Sequence, residues 1–286
     1  MTDIGAALRE AGKRLGAAGV EDAPRDARLL LQAASGLSPA ALVGFPERGI
    51  DSAMLARFHA LVARREKREP MAQILGEREF WSLRFRVTAD TLDPRPDSET
   101  LVQAVLDRVT DRNVPLRLLD FGTGSGCLLL ALLHDLPNAT GLGVDISAAA
   151  LAIAAQNARS LGLEERADFR QANWDDGITP FFDVVISNPP YIARATIAKL
   201  QPEVARFEPR LALDGGIDGL DAYRALLPAT ARLLRPGGLA AFEVGLDQAD
   251  SVAAIGTAGG LRHIATAPDL GGIPRAVLWQ KGEAVQ

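Results

Sequence analysis

Apolar positions along this chain follow two rhythms, and the change from one to the other divides it. Over residues 1–70 they recur at helical spacing, and polar caps stand where each run begins. The pattern predicts a first amphipathic helix over Thr2–Leu15, a second opened by Asp22 and Pro24, and a third and fourth capped by Ser38 and Asp51. Residues 71–92 alternate apolar with polar through Glu79-Phe80-Trp81-Ser82-Leu83-Arg84-Phe85-Arg86-Val87, the period of a β-hairpin. From Leu116 onwards, strand-like runs alternate with helical ones. Leu116–Leu119, Ala139–Asp145, Ala167–Gln171, Phe181–Ile186 and Leu239–Val244 read as strands, with Leu261–Thr266 and Arg275–Gln280 as a closing antiparallel pair. Cys127–Leu133, Ala148–Leu161 and Gly219–Leu234 read as helices, and Asp97 stands as a cap before a further helix over Thr100–Thr110. The expected organisation is a small all-helical domain over 1–70, a β-hairpin linker over 71–92, and a doubly wound α/β domain over 93–286.

Two of the strands end in chemistry. Behind the run Phe181–Ile186 stands Ser187-Asn188-Pro189-Pro190-Tyr191. Proline fixes its own φ and biases the residue before it towards extended geometry, so Asn188 and Pro189 have little freedom. A side-chain amide held on a rigid turn suits recognition of a flat –NH2 group; an ordinary strand-ending turn is the plainer reading. Behind Leu116–Leu119 stands Asp120-Phe121-Gly122-Thr123-Gly124-Ser125-Gly126, leading into a helix. Glycines there let a backbone turn sharply and a ligand approach, beside the free N–H groups of a helix N-terminus. The glycine spacing is not that of dinucleotide enzymes, and with the preceding acid it points to S-adenosyl-L-methionine. Asp120 and the loop Gly122, Thr123, Gly124, Ser125 and Gly126 would hold its amino-acid end. Asp145, closing the next strand, would accept from ribose hydroxyls, unless it serves as a helix cap, a role for which Ser147 is also placed. Trp174 stands where it could stack on adenine or fill the core.

Composition narrows the field. The chain has 286 residues, 48% of them hydrophobic, enough for a full core and a smaller companion. One cysteine leaves no internal disulfide, and three scattered histidines make no zinc pattern, so no metal is expected. Neither a basic apolar leader nor an apolar run near membrane length is seen, and a cytoplasmic protein is the expectation. The net charge is −5; residues 1–70 hold 11 Lys/Arg against 9 Asp/Glu, which is not the basic patch a duplex-binding surface needs. The run Arg64-Arg65-Glu66-Lys67-Arg68-Glu69 is mixed in sign and reads as a solvated helix face.

Together these residues resemble the release-factor glutamine N5-methyltransferases of HemK/PrmC type. The resemblance spans about Ile74 to Gln280. It is carried by Ile74-Leu75-Gly76 with Glu79-Phe80-Trp81, by Pro94-Arg95-Pro96-Asp97-Ser98-Glu99, by Asp120 to Gly126, by Ser187 to Ile192, by Phe207-Glu208-Pro209, and by Asp269 to Arg275. The chain departs from the usual pattern at Phe121, often leucine, and at Asp93, often apolar. The resemblance implies a Rossmann-like, seven-stranded S-adenosylmethionine-dependent methyltransferase domain behind a helical domain that recognises the substrate. It implies methyl transfer to the glutamine of the Gly-Gly-Gln motif in class 1 peptide chain release factors, with S-adenosyl-L-homocysteine as product. Asn188, Pro189, Pro190 and Tyr191 would hold that glutamine, and Asn188 would also touch the cofactor. A monomer without membrane or nucleic-acid binding is expected. The rival readings are a methyltransferase for the exocyclic amine of adenine or guanine, which would need a base-flipping surface, and a silent binding module for the cofactor or the release factor.

Overall fold

The structure, a computed structural model, describes residues 2–283. It forms two units. One holds the chain up to Gly76 together with Gln201–Phe207; the other holds Glu77–Leu200 and the chain from Glu208 onwards.

The first unit is built from α1 (Ile4–Ala17), α2 (Ala23–Ser35), α3 (Pro39–Gly44), α4 (Ser52–Glu66) and α5 (Met71–Leu75), with a later short helix, Pro202–Phe207. Asp3, Asp22, Ser38 and Asp51 each accept a backbone N–H of the first turn they precede, so polar residues set where four helices start. Ile4, Ala7, Ala11 and Leu15 recur at helical spacing and share one core with Leu30, Leu31, Phe58 and Val62. The charged run at the end of α4 is not the solvated face its mixed signs suggest. Arg65 is buried, donating from Nε to Asp26 at 2.7 Å and from Nη1 to Glu203 at 2.8 Å. Arg68 takes the same Glu203 by both carboxylate oxygens, at 2.6 and 2.7 Å, and Glu66 pairs with Arg14 at 2.7 Å. The segment 201–207, distant in sequence, is thus held to the helical unit by charge-assisted hydrogen bonds.

The expected linker over 71–92 differs in its first part. Residues 71–75 form α5, ended by Gly76 in the left-handed region at φ +77°, and the hairpin is confined to β1 (Glu77–Phe80) and β2 (Leu83–Arg86). Trp81 and Ser82 make its two-residue turn with φ of +53° and +57°, the double left-handed geometry that matches strand twist.

In the second unit, α6 (Glu99–Leu106) precedes β3 (Arg117–Phe121), α7 (Cys127–Asp135), β4 (Thr140–Asp145), α8 (Ala148–Ser160), β5 (Ala167–Gln171) and β6 (Phe182–Ser187). Pro202–Phe207 is α9; then come α10 (Asp221–Leu233), β7 (Leu234–Glu243), α11 (Ala249–Ala258), β8 (Leu261–Pro268) and β9 (Pro274–Lys281). Asp97 does not cap α6 as expected: Pro96–Ser98 form a 3-10 turn, and the Asp97 carboxylate pairs with Arg275 at 2.9 Å. The seven strands run in the order β5-β4-β3-β6-β7-β9-β8, with β9 antiparallel to its neighbours and the other pairings parallel. Successive residues feed opposite faces. Leu118 and Ile186 enter a core with α6 and α7, whereas Leu119 and Val185 enter one with α10. Among the described residues no helix is long and apolar enough to cross a membrane.

Arg65→Ala leaves Asp26 and Glu203 without a shared cation in a dry setting. It is expected to cost roughly 3–5 kcal/mol of stability in urea unfolding. Arg64→Ala, whose partner Glu69 is reached by a half-exposed side chain, should cost about 1 kcal/mol or less in the same assay.

Candidate functional site

Order within the sheet decides where the site lies. The chain runs outward from β3 to β4 and β5, then returns to β6 on the other side of β3, so its direction of travel reverses between β3 and β6. Ligands of open α/β sheets bind in the crevice at the carboxyl ends of the strands beside such a reversal. Phe121 lies opposite Ser187 across that pair, and the buried Ser187 hydroxyl donates to the Phe121 carbonyl at 2.8 Å. The glycine loop and the Asn-Pro-Pro-Tyr turn therefore leave the sheet side by side.

The glycine loop folds on itself. Gly122, Gly124 and Gly126 take φ of +66°, +55° and +82°, values that strain other residues. The Thr123 N–H donates to the Val144 carbonyl at 2.9 Å, that of Gly124 to Asp145 Oδ2 at 2.9 Å, and that of Gly126 to the Thr123 carbonyl at 2.8 Å. These amides, expected to face a ligand, instead set the loop's shape. Asp145 also accepts from the Ser147 N–H at 2.9 Å, while the Ser147 hydroxyl caps α8. The carboxylate of Asp145 is thus locked at the end of β4 as the hinge of the loop.

A cavity of about 520 Å³ opens at these strand ends, within the roughly 300–1,000 Å³ range of small-molecule sites. Of the residues singled out from sequence, Gly122, Gly124, Asp145, Trp174, Asn188 and Pro190 form its wall. Trp174 holds a left-handed φ of +53° and lies within 3.8 Å of where a Gly122 side chain would begin. Asp120, Thr123, Ser125, Gly126, Pro189 and Tyr191 are not wall residues. Thr123 donates its hydroxyl to Asp120 Oδ2 at 2.6 Å, and a Cβ on Gly126 would meet Leu130 at 3.1 Å and Ala154 at 3.3 Å. Tyr191 points its hydroxyl at Glu243 Oε1, 3.3 Å away.

Burial shapes the acids. Asp120 Oδ1 has no hydrogen-bond partner among the described residues. Desolvation pushes its carboxyl up to about 7, against the Thr123 hydrogen bond that lowers it, and the nearby Asp145 charge adds to the rise. A buried acceptor left open beside a cavity fits a cationic group, so the residues present suit the ammonium of S-adenosyl-L-methionine. Asp93 is buried beside Arg78 and Arg95, and Arg95 also pairs with the buried Glu208. Desolvation raises both carboxyls.

Three contributors escaped the sequence reading. Asn157, fully buried on α8, accepts from the Arg86 N–H at 2.7 Å and donates to the Ser125 carbonyl at 2.8 Å, tying hairpin to glycine loop. Ser98 accepts from Asn188 Nδ2 at 3.2 Å. Glu243 stands beneath Tyr191. Its signal was present: a charge closing the apolar run Ala240-Ala241-Phe242, as Asp145 closes β4. Nothing in the spacing of Asn157 or Ser98 singles them out.

Residues 113–242 match a methyltransferase domain. A solved methyltransferase from Pyrococcus furiosus shares the fold with a TM-score of 0.52 and 16% identity, covering 70% of this chain and 89% of that one. The fold is accordingly that of a Rossmann-like, S-adenosylmethionine-dependent methyltransferase. Residues 6–76 match the PrmC N-terminal domain. Similarity to the release factor glutamine methyltransferase of Rhodospirillum rubrum reaches 48% identity over 98% of this chain and 86% of the relative. With that of Cereibacter sphaeroides it is 46% over 95% and 96%. This chain belongs to the release factor glutamine methyltransferase family.

Two measurements follow. Asn157→Ala strands the Arg86 N–H and the Ser125 carbonyl and should lower stability by roughly 1–3 kcal/mol in urea unfolding. Because Asp120 binds its proton more tightly folded than unfolded, the cofactor-free protein should lose stability as pH rises from about 4 towards 7. Asp120→Asn should therefore gain more stability over the parent at pH 8, where the buried carboxyl is ionised, than at pH 5, where the fold still holds it protonated.

Proposed function

We propose that the protein methylates the side-chain amide nitrogen (N5) of the glutamine in the Gly-Gly-Gln motif of class 1 peptide chain release factors. The observation that carries this reading is the Asn188 carboxamide. It sits at the cavity wall where β6 ends, with its –NH2 engaged by Ser98 and its oxygen left to accept. An amide nitrogen is a poor nucleophile because its lone pair is delocalised into the carbonyl. Acceptors held on its two N–H bonds orient it and polarise it. Asn188 Oδ1 serves as one, and the Pro189 carbonyl on the same stiff turn as the other.

When bound, S-adenosyl-L-methionine supplies an electrophilic methyl on sulfonium sulfur and leaves as S-adenosyl-L-homocysteine. Asp145, at the end of β4, would accept from ribose hydroxyls, Asp120 would pair with the ammonium, and Trp174 would cover the base. Gly122 and Gly124 give the cavity a wall without side chains. Holding two reactants in line can supply roughly 7–11 kcal/mol of the barrier. Pro190 and Tyr191 complete the turn, and the Tyr191 ring excludes water near the amide, which strengthens its hydrogen bonds. The methylated amide is acidic enough to shed its proton to solvent, so no strong base is required.

The helical unit supplies recognition of the release factor, consistent with its being the part that matches the PrmC N-terminal domain. The reading includes a monomeric, cytoplasmic enzyme that engages a protein and neither membrane nor nucleic acid.

Labelled S-adenosyl-L-methionine should mark a class 1 release factor on that glutamine, as mapped by mass spectrometry. A factor with the glutamine replaced, and bare DNA or RNA, should stay unlabelled; label on nucleic acid alone would refute the reading. Asn188→Ala should lower kcat by roughly 10²-fold or more, the scale of losing one preorganised hydrogen-bonding group, while affinity for S-adenosyl-L-homocysteine changes far less.

A further inference from the structure

Two prolines make the turn after β6 stiff, and they also remove its means of attachment. Pro189 and Pro190 have no N–H to donate, so the turn cannot pin itself to its surroundings through those amides. Proline fixes φ and not ψ, so the direction of the turn depends on how its two ends are held. The near end is set by Ser187, whose hydroxyl reaches the Phe121 carbonyl. The far end is Tyr191.

Tyr191 is gripped by the end of β7 and by residues 244–248, which lead into α11. Gln248 Nε2 donates to the Tyr191 carbonyl at 3.0 Å and, more weakly, to the Gly219 carbonyl at 3.4 Å. Its Oε1 accepts the Gly245 N–H at 3.0 Å. A side-chain amide fits the same space either way round, and here the backbone decides between the two. An N–H is met only by oxygen and a carbonyl only by a donor, so partners on three segments demand one orientation. Two glycines keep the contact open. A Cβ on Gly219 would stand 2.3 Å from the Tyr191 carbonyl oxygen and 2.7 Å from Gln248 Nε2. One on Gly245 would stand 2.9 Å from Cδ2 of the Tyr191 ring and 2.8 Å from Gln248 Oε1. The Tyr191 hydroxyl reaches Glu243 Oε1 at 3.3 Å. Hydroxyl, ring and carbonyl of one tyrosine are thus all held from the same side.

We propose that Gln248 is a positioning residue for methyl transfer: by fixing the Tyr191 carbonyl, it sets where residues 188–191 hold the substrate amide. This rests on the reading of that turn given under Proposed function. Asn188 and Pro189 present their oxygens from one stiff segment, so a change of direction at its anchored end reaches both together. Gln248 is not among the residues that line the cavity, and its part is played through Tyr191.

The test is steady-state methyl transfer to a class 1 release factor by the full-length parent, Gln248→Ala, Gln248→Glu, Asn188→Ala and the Gln248→Ala/Asn188→Ala double variant. Urea unfolding and S-adenosyl-L-homocysteine binding are measured alongside. Gln248→Ala frees the far end of the turn and should lower kcat roughly 10- to 100-fold, the scale of a misplacement of about 1 Å. KM for the factor and affinity for S-adenosyl-L-homocysteine should stay within about twofold, since uniform binding is untouched. A purely structural role would lower the unfolding midpoint and leave kcat of the folded enzyme parent-like.

Gln248→Glu keeps the acceptor for Gly245 and loses the donors, so it carries the test even where the alanine variant does not fold. Ionised, its carboxylate faces two carbonyls and should damage kcat at least as much as alanine. Protonated, its O–H donates to Tyr191 again. Facing carbonyls holds such a carboxyl above its ordinary range, so the ratio of variant to parent kcat should rise severalfold between about pH 8 and about pH 5.5. Asp218 and Asp221 beside Gly219, Asp247 and Asp250 beside Gln248, and Glu243 are present in both proteins and cancel in that ratio. The ratio for Gln248→Ala should stay flat. Gln248→Ala added to Asn188→Ala should cost less than it costs alone, because one of the two oxygens it aims is already gone. Parent-like kcat in folded Gln248→Ala, a pH-independent ratio for Gln248→Glu, or additive losses in the double variant would each overturn the proposal. Failure of the parent to label the factor would instead strike at the assigned function.

Discussion

One buried hydrogen bond holds the rest of the site in register: the Ser187 hydroxyl donating to the carbonyl of Phe121 at 2.8 Å. It joins the last residues of β3 and β6, the two strands between which the sheet reverses its order. Phe121 begins the glycine loop, and Ser187 begins the turn that carries Asn188. A bond in a dry core does not compete with water, so it adds to the strand pairing and fixes the ends of β3 and β6 against each other. Everything that lines the cavity is measured from that tie. Asp145 hinges the loop from β4, and Asn157 anchors it from α8.

Much of this was legible before the fold was seen, and for stated reasons. Strand β5 falls at Ala167–Gln171 as its pattern predicts, and β6 within one residue of its run, because short apolar segments bounded by turn formers have one sensible reading. Asn188 and Asp145 could be singled out because each directly follows or closes such a strand. The parts that were not legible depend on partners far away in the sequence. The charged run of α4 looks solvent-facing until Glu203 arrives from more than a hundred residues later to meet Arg65 and Arg68. Residues 71–75 were grouped with the hairpin that follows, yet Met-Ala-Gln-Ile-Leu carries no alternation and coils into α5, which Gly76 ends in the left-handed region. Ser98 and Asn157 act through single contacts whose meaning exists only in three dimensions. The amides of Thr123, Gly124 and Gly126 are taken up within the protein, because a tight loop satisfies itself first.

A second theme is the storage of acids in dry places. Asp120 and Glu243 close or nearly close the two strands that flank β6 in the sheet, and both are pushed up to about 7 by desolvation. Asp93 and Glu208 crowd a single guanidinium, that of Arg95. Each arrangement costs stability in the empty protein. Residues placed against local preference commonly mark where a protein has traded stability for function. Asp93, Asp120, Glu208 and Glu243 each keep one carboxylate oxygen without a hydrogen-bond partner among the described residues.

The excursion of residues 201–207 into the helical unit has a consequence for how the chain is made. A ribosome delivers the five helices α1–α5 first, and their apolar core can gather at once. Arg65 and Arg68 must wait, however, for Glu203, which emerges only after β3, β4, β5 and β6 have been synthesised. The amino-terminal unit is therefore the first to begin folding and among the last to finish. Its completion is a report, written into the chain itself, that the strand bearing Asn188 has already left the tunnel.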